Sequence, residues 1–430
     1  MIEKNIRNTC FKKAHQLYGE NLPLIIEARL EKELDIIIAG GYAEFFVALS
    51  KLVRKSTLEG YRAVPRGSIG AFLTAMLSGI TETNPLKPHY RCPNCYYTEF
   101  DSDEVNAHSG GAGADLPDKN CPVCGTSLEK DGFDIPHETF MGPEGERAPS
   151  VELNFPCEYL EKALESVEAI FGSDRIFCDK NESCVYRVFI FPTGKTAKQV
   201  DEFSMDDDVI HINFIGHKSL TLLRALEEQT GLKADRIRLD APSVMDLFKG
   251  TTASDNLREE ILQSLKSLGI PLFCDDIAGW PISELKPKCF SDLIRIEGLC
   301  HGTGAWEENA EILVEDGVAT LSDCICTRDD ILNYLVRQGM ESSMAYDIME
   351  EVRKGKVECG RAKRWTEWAQ TMKTCGVPDW YIKSCEKIQY LFPKAHAAAY
   401  VMMNWRIAYY MLYYPEAFNT ALLSMQEYGF

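Results

Sequence analysis

The stretch Tyr61-Arg-Ala-Val-Pro-Arg66-Gly67-Ser68-Ile69-Gly70 decides how the first half of the chain is read. Tyr61 to Val64 is a short β-like run. Arg66, Gly67, Ser68 and Gly70 follow as a turn, and an apolar segment continues through Leu77. Strand, glycine-rich turn and helix in that order bring backbone N–H groups and one guanidinium to a point that suits a phosphate. A serine N-cap beside a surface arginine would give the same letters, so the turn carries little weight alone.

Working outward, residues 9–55 read as two or three amphipathic helices, with Leu30, Leu34, Ile37 and then Phe45, Phe46, Leu49, Leu52 at helical spacing. From about 88 to 140 the composition shifts to Gly, Asp, Pro and Cys, which reads as a loop-rich insertion. Strands are expected at Ser150–Phe155, Val185–Phe191 and Val209–Ile215. Beyond about 220 the pattern is helical: Asp329–Gln338, Ser342–Lys354, Trp380–Leu391 and Ala395–Tyr414, with Ser342 and Ser343 as N-caps and Gly355 as a stop. The fold class is therefore α+β, with a metal loop inserted in the first half and an all-α second half. No repeat at a solenoid period is visible.

Cys92-Pro-Asn-Cys95 and Cys121-Pro-Val-Cys124 are two CxxC knuckles with 25 residues between them. Tetrahedral zinc needs four soft ligands, and each knuckle supplies two thiolates at about 2.3 Å from the metal. Gly125 after the second pair fits the tight turn of a zinc ribbon. Four thiolates leave no open coordination position, so the site reads as structural zinc. Four free thiols are the bland alternative, and the doubled motif argues against it.

The chain has 430 residues, enough for two cores, and 45% of them are hydrophobic. MIEKNIRNTC does not read as a signal peptide, and sixteen cysteines without one point to a reducing cytoplasm. Ala397–Tyr414 is the most membrane-like stretch. Asn404 and Arg406 interrupt it and it is short, so a buried helix is expected and no membrane partner. The net charge of −19 disfavours tight autonomous DNA binding, although Lys51, Arg54, Lys55, Arg62 and Arg66 form a local basic excess. Gly194-Lys195-Thr196 is not a Walker A loop, because position 189 is Phe where that motif needs Gly.

Several strings occur in one order: Pro65–Gly70, Gly79-Ile-Thr-Glu-Thr-Asn-Pro-Leu86, the two knuckles, Leu153-Asn154-Phe155, Ile215-Gly216-His217, His301-Gly302-Thr303 and Phe392–Tyr400. Together they resemble the PolC-type alpha subunit of bacterial DNA polymerase III, from about residue 8 to 418. The resemblance implies a nucleotidyltransferase-like palm over residues 1–220, carrying the zinc loop, and helical fingers over 221–430. It also implies DNA and dNTP as ligands, with replisome proteins or a separately encoded polymerase subunit as partners. Arg66, Gly67, Ser68, Gly70, His301, Lys394 and His396 match nucleotide- and template-side positions. For His301 and Lys394 a buried turn histidine and a solvated lysine are equally open readings. The family's exonuclease, PHP, OB-fold and duplex-binding regions are not expected within these residues.

Such palms hold two Mg²⁺ ions on three aspartates. The matching positions here are Ser150, Glu152 and Asn213. Two magnesium ions at about 3.5–4 Å need several hard anionic oxygens, and a serine, a longer glutamate and an asparagine do not supply them. The family's longer segment before Asn213 is replaced by the acidic stretch 198–208, whose Asp206, Asp207 and Asp208 could act only as substitute ligands. Three functions stay open on the sequence. They are a catalytically inactive polymerase relative with weak DNA, nucleotide or partner binding, an active DNA polymerase with an unorthodox metal site, and an interaction module docking through the zinc loop.

Overall fold

A computed structural model describes residues 2–181, 185–191, 210–249, 285 and 287–427. The substitute-ligand aspartates 206–208 and the Gly194–Thr196 string lie outside the described residues. Three helices come first, α1 (Ile2–Tyr18), α2 (Leu24–Ala39) and α3 (Ala43–Leu58). The apolar positions read at helical spacing, Leu30, Leu34, Ile37, Phe45, Phe46, Leu49 and Leu52, are all buried. β1 (Val64–Arg66) follows, overlapping the expected Tyr61–Val64 only at Val64. Tyr61 instead stacks on Tyr159, ring centroids 4.5 Å apart. The turn after β1 is a single 3₁₀ turn, Ser68–Ala71, before α4 (Leu73–Leu77).

The insertion is a small sheet of β2 (His89–Arg91), β3 (Thr98–Glu99) and β4 (Glu129–Asp131), ordered β3-β2-β4. The main sheet adds β5 (Ser150–Phe155), β6 (Ile176–Asn181), β7 (Val185–Ile190) and β8 (Ile210–Gly216). Its order is β1-β5-β8-β7-β6, and only β5 and β8 run parallel. One face is core: Val151, Leu153, Tyr186, Val188, Ile212 and Phe214 are buried. Helix α5 (Leu160–Phe171) packs beneath it through Ala163 and Val167. The other face carries Ser150, Glu152, Arg187, Phe189, His211 and Asn213, none of them buried.

Helices dominate from α6 (Lys218–Thr230) onward. A first core cluster joins the sheet to α7 (Phe290–Cys300), α10 (Lys394–Tyr413) and α11 (Pro415–Glu427); a second lies among residues 299–391, including α8 (Arg328–Arg337) and α9 (Ser342–Arg353). The first cluster thus takes residues from both sides of position 220. α10 is buried on nearly every face, as its apolar composition requires, and no single described helix is long and apolar enough to cross a membrane. The Trp380–Leu391 helix is shorter than expected, Asp379–Lys387, because Tyr390 leaves it to bridge Thr303. α9 starts without a serine cap; the Ser343 hydroxyl donates to the Glu341 carboxylate instead. Gly355, at φ +66, does stop it.

Candidate active site

Strand register assembles the three expected metal positions. In the β5–β8 pair Glu152 faces Asn213 and Ser150 faces His211. In β1–β5 Arg66 faces Glu152, and in β7–β8 Arg187 faces Asn213. Arg66, Glu152, Asn213 and Arg187 therefore form one row across the open face. Ser150 Oγ lies 2.6 Å from His211 Nε2 in the row beside it.

The row is occupied by its own side chains. Arg66 is 4% exposed, with Nε 3.2 Å from Glu152 Oε1. Its Nη2 donates to Asn154 Oδ1 at 2.5 Å, and Asn154 in turn donates to the Val64 carbonyl, tying β1 to β5. Above the guanidinium sits the Tyr400 ring, 3.9 Å from Arg66 Cζ to the centroid. A column of rings continues from there. His396 stacks on Tyr400 at 5.2 Å, Phe392 meets His396 at 4.6 Å, and His301 stacks on Phe392 at 4.5 Å. Phe392, His396 and Tyr400 share a face because they are four residues apart on or beside one helix. His301 Nε2 is 3.0 Å from Glu297 Oε1.

Burial sets the charges here. It pulls the Arg66 guanidinium down to about 10, against the opposing pull of Glu152 and Glu297. His217 is pushed down to about 3 by burial and by Arg66, and His396 well below its ordinary value by burial, Arg66 and His301. Both imidazoles are therefore neutral near pH 7. Four buried polar atoms, Arg66 Nη1, Asn213 Oδ1, His217 Nδ1 and His396 Nε2, lack a hydrogen-bond partner among the described residues.

Arg66, His301 and His396 thus come together, whereas Lys394 and Ser68 are engaged elsewhere. Lys394 is buried, and its Nζ donates to the Gly110 carbonyl at 2.8 Å, pinning the insertion to α10. Burial pulls its pKa below the ordinary lysine value. Ser68 accepts from Arg328 Nη2 at 2.7 Å. Gly67, at φ 85 and ψ −163, occupies a region open essentially to glycine. Gly70 permits close packing, since a Cβ there would lie 3.1 Å from that of Ala395. The turn is therefore a buried hinge against α10 rather than a long helix start. The basic excess is dispersed as well: Arg62 pairs with Glu82, Glu227 and Asp235. Tyr400, Phe392, His217 and Glu297 were not singled out as site residues; the Phe392, His396, Tyr400 spacing of four was the available signal.

Two aspects of metal binding separate here. Residues 150, 152 and 213 do not fit two magnesium ions: Glu152 is their one carboxylate, and it is engaged by Arg66. Cys92, Cys95, Cys121 and Cys124 do fit zinc. Their sulfurs all lie within 4.8 Å of one another, with Cys92–Cys124 at 3.4 Å and Cys95–Cys121 at 3.5 Å. The edge of a tetrahedral ZnS₄ site is about 3.8 Å from a 2.3 Å Zn–S bond. Each knuckle closes with the same turn: Tyr96 N donates to Cys92 O and Gly125 N to Cys121 O, both residues at positive φ. Outside the cluster, Cys10, Cys324, Cys326 and Cys385 are buried, whereas Cys178 and Cys359 are exposed.

The description "Bacterial DNA polymerase III alpha NTPase domain" matches residues 4–182, and "Bacterial DNA polymerase III alpha subunit finger domain" matches residues 218–376. The chain is 38% identical to the PolC-type DNA polymerase III of Caldanaerobacter subterraneus subsp. tengcongensis, over 100% of this chain and 34% of that relative. Identity to the Bacillus subtilis protein of the same description is 37%, over 100% and 33%, and to that of Thermotoga maritima 38%, over 98% and 35%. The chain belongs to the PolC-type DNA polymerase III alpha-subunit family. It spans about a third of the length of these relatives. The first alignment runs over 490 positions, more than the 430 residues here, so the relative carries insertions against this sequence.

Proposed function

We propose that this chain is a non-catalytic palm-and-fingers member of its family, which holds nucleotide or DNA weakly in a cytoplasmic, replisome-associated setting and does not transfer nucleotides. One observation carries the reading: the only carboxylate among the three expected metal positions, Glu152, is neutralised by the buried Arg66 guanidinium. A second positive charge brought there would meet Arg66 before it met an uncompensated anion, and magnesium sheds its water only for strong anionic ligands. The orphaned donors and acceptors around Arg66 support a retained polar ligand site. Neutral histidines and a guanidinium suit a phosphate oxygen better than a cation.

The test is primer extension by the purified chain with Mg²⁺ or Mn²⁺, beside a PolC-type polymerase as positive control. No extension above background is expected. Extension at a rate near the control would overturn the reading in favour of an active polymerase. Equilibrium binding of a dNTP then separates a ligand-holding palm from a pure interaction module.

A further inference from the structure

We propose that the cavity between α3, β1, α6 and α10 binds a small uncharged organic molecule, an apolar body carrying a carbonyl acceptor. It lies apart from the row across the sheet, since Arg66, Glu152 and Asn213 are not among the residues lining it. Its ligand class is independent of whether the chain transfers nucleotides, so primer extension and the test below fail separately.

The cavity holds about 380 Å³. Sites for small organic ligands run from roughly 300 to 1,000 Å³. One wall is apolar: Val53 of α3, Leu223 of α6, and Met402 and Met403 of α10 line it and are buried. Methionine side chains reshape readily around a guest. The other wall is ionic. Glu82 pairs with Arg62 through one carboxylate oxygen and with Arg406 Nη2 through the other, the latter at 2.5 Å. Arg62 Nη2 also lies 3.5 Å from Glu227 and 3.5 Å from Asp235. Lys233 closes the rim on Glu227 at 3.0 Å.

This ionic wall leaves polar groups unused. Arg406 is 7% exposed and Thr83 1%, and both line the cavity. Arg406 Nε, Arg62 Nε and Thr83 Oγ1 are buried with no hydrogen-bond partner among the described residues. Burying an unpaired polar atom is costly, so three at one cavity mark a place for a polar group. Two N–H donors call for an acceptor, and the Thr83 hydroxyl can serve in either direction. Charge decides what kind of acceptor. Around the cavity Arg62, Lys233 and Arg406 balance Glu82, Glu227 and Asp235. A carboxylate or an ammonium entering this neutral ring would give up its water without gaining a free counter-charge. A carbonyl oxygen accepts from the Nε–H groups without that cost.

Fluorine NMR of 4′-fluoroacetanilide with the full chain tests this, with 4-fluorobenzoate and 4-fluorobenzylamine as its anionic and cationic counterparts. The neutral probe is expected to broaden on binding with a Kd of about 1 mM, as befits a fragment. It should bind roughly fivefold or more tightly than either charged probe. Thr83→Val gives up no hydrogen bond made by the Thr83 hydroxyl within the described fold, and should weaken the neutral probe about three- to tenfold. Ala399→Leu adds bulk to the cavity wall and should abolish binding. Its melting temperature beside the parent's shows whether it folds, and Thr83→Val carries the test where it does not. No broadening of the neutral probe at several millimolar would overturn the proposal and leave the cavity to water. A preference for the benzoate or the benzylamine would overturn the uncharged class. Binding indifferent to both variants would put the probe elsewhere and overturn the site.

Discussion

Arg66 is the residue on which the site turns. It is buried, paired to Glu152 and roofed by Tyr400. Removing one partner of a buried pair leaves the other uncompensated and costs about 3–5 kcal/mol. Arg66→Met should therefore lower the unfolding free energy by about that amount in urea titration, and the double variant Arg66→Met/Glu152→Met should recover part of it. If Arg66→Met melts like the parent, the pair is not the anchor described here. The histidines give a second residue-level test. His217 and His396 are held below their ordinary value in the fold, so the unfolded chain takes up protons first as pH falls. Their contribution is complete above about pH 6.5 and is lost as pH falls below it, for His217 down to about 3, at up to ~1.4 kcal/mol per histidine per unit. Urea midpoints between about pH 7 and 5, above the carboxylate range, should fall more steeply for the parent than for His217→Gln. Parallel slopes would contradict a neutral, buried His217.

At the scale of elements, the four-cysteine insertion was the most legible part. A CxxC pair states its ligands, its spacing and its turn in the letters themselves, and Gly125 marked the second knuckle. Tyr96 makes the same turn without glycine, which no sequence pattern announced. One zinc per chain is expected by elemental analysis. A strong chelator should open amides of residues 88–131 to hydrogen exchange while the main sheet stays protected, because the small sheet has only a thin core of its own around Tyr90, Val105, Leu116 and Leu128. Zinc content near zero with all four thiols titrating would sink this assignment. Strands β5, β7 and β8 were readable from their Val, Ile and Phe runs. β6, Ile176-Phe-Cys-Asp-Lys-Asn181, was not: an edge strand with polar residues lacks the alternation that marks a half-buried one. The parallel pairing of β5 with β8 was hidden for a different reason, since register is fixed by tertiary contact and not by composition.

For the whole molecule, resemblance supplied what periodicity could not. Asn213 lies far in sequence from Ser150 and Glu152, and only the sheet brings it beside Glu152. The chemistry of those positions was legible once placed; the Arg66 pairing and the ring column from His301 to Tyr400 were not, because they depend on how α10 crosses the sheet. α10 also explains why the core ignores a boundary at 220: its mostly buried surface needs the sheet, the Ser68–Ala71 turn and α7 around it. On the function proposed above, the Arg66–Glu152 ion pair stands in place of metal ligation. Manganese titration monitored by electron paramagnetic resonance, on zinc-loaded protein, tests it most directly. The parent chain should bind no spin-coupled Mn²⁺ pair, while Ser150→Asp/Glu152→Asp/Asn213→Asp should gain manganese affinity. A coupled two-manganese signal from the parent chain, abolished by Glu152→Gln, would contradict the account.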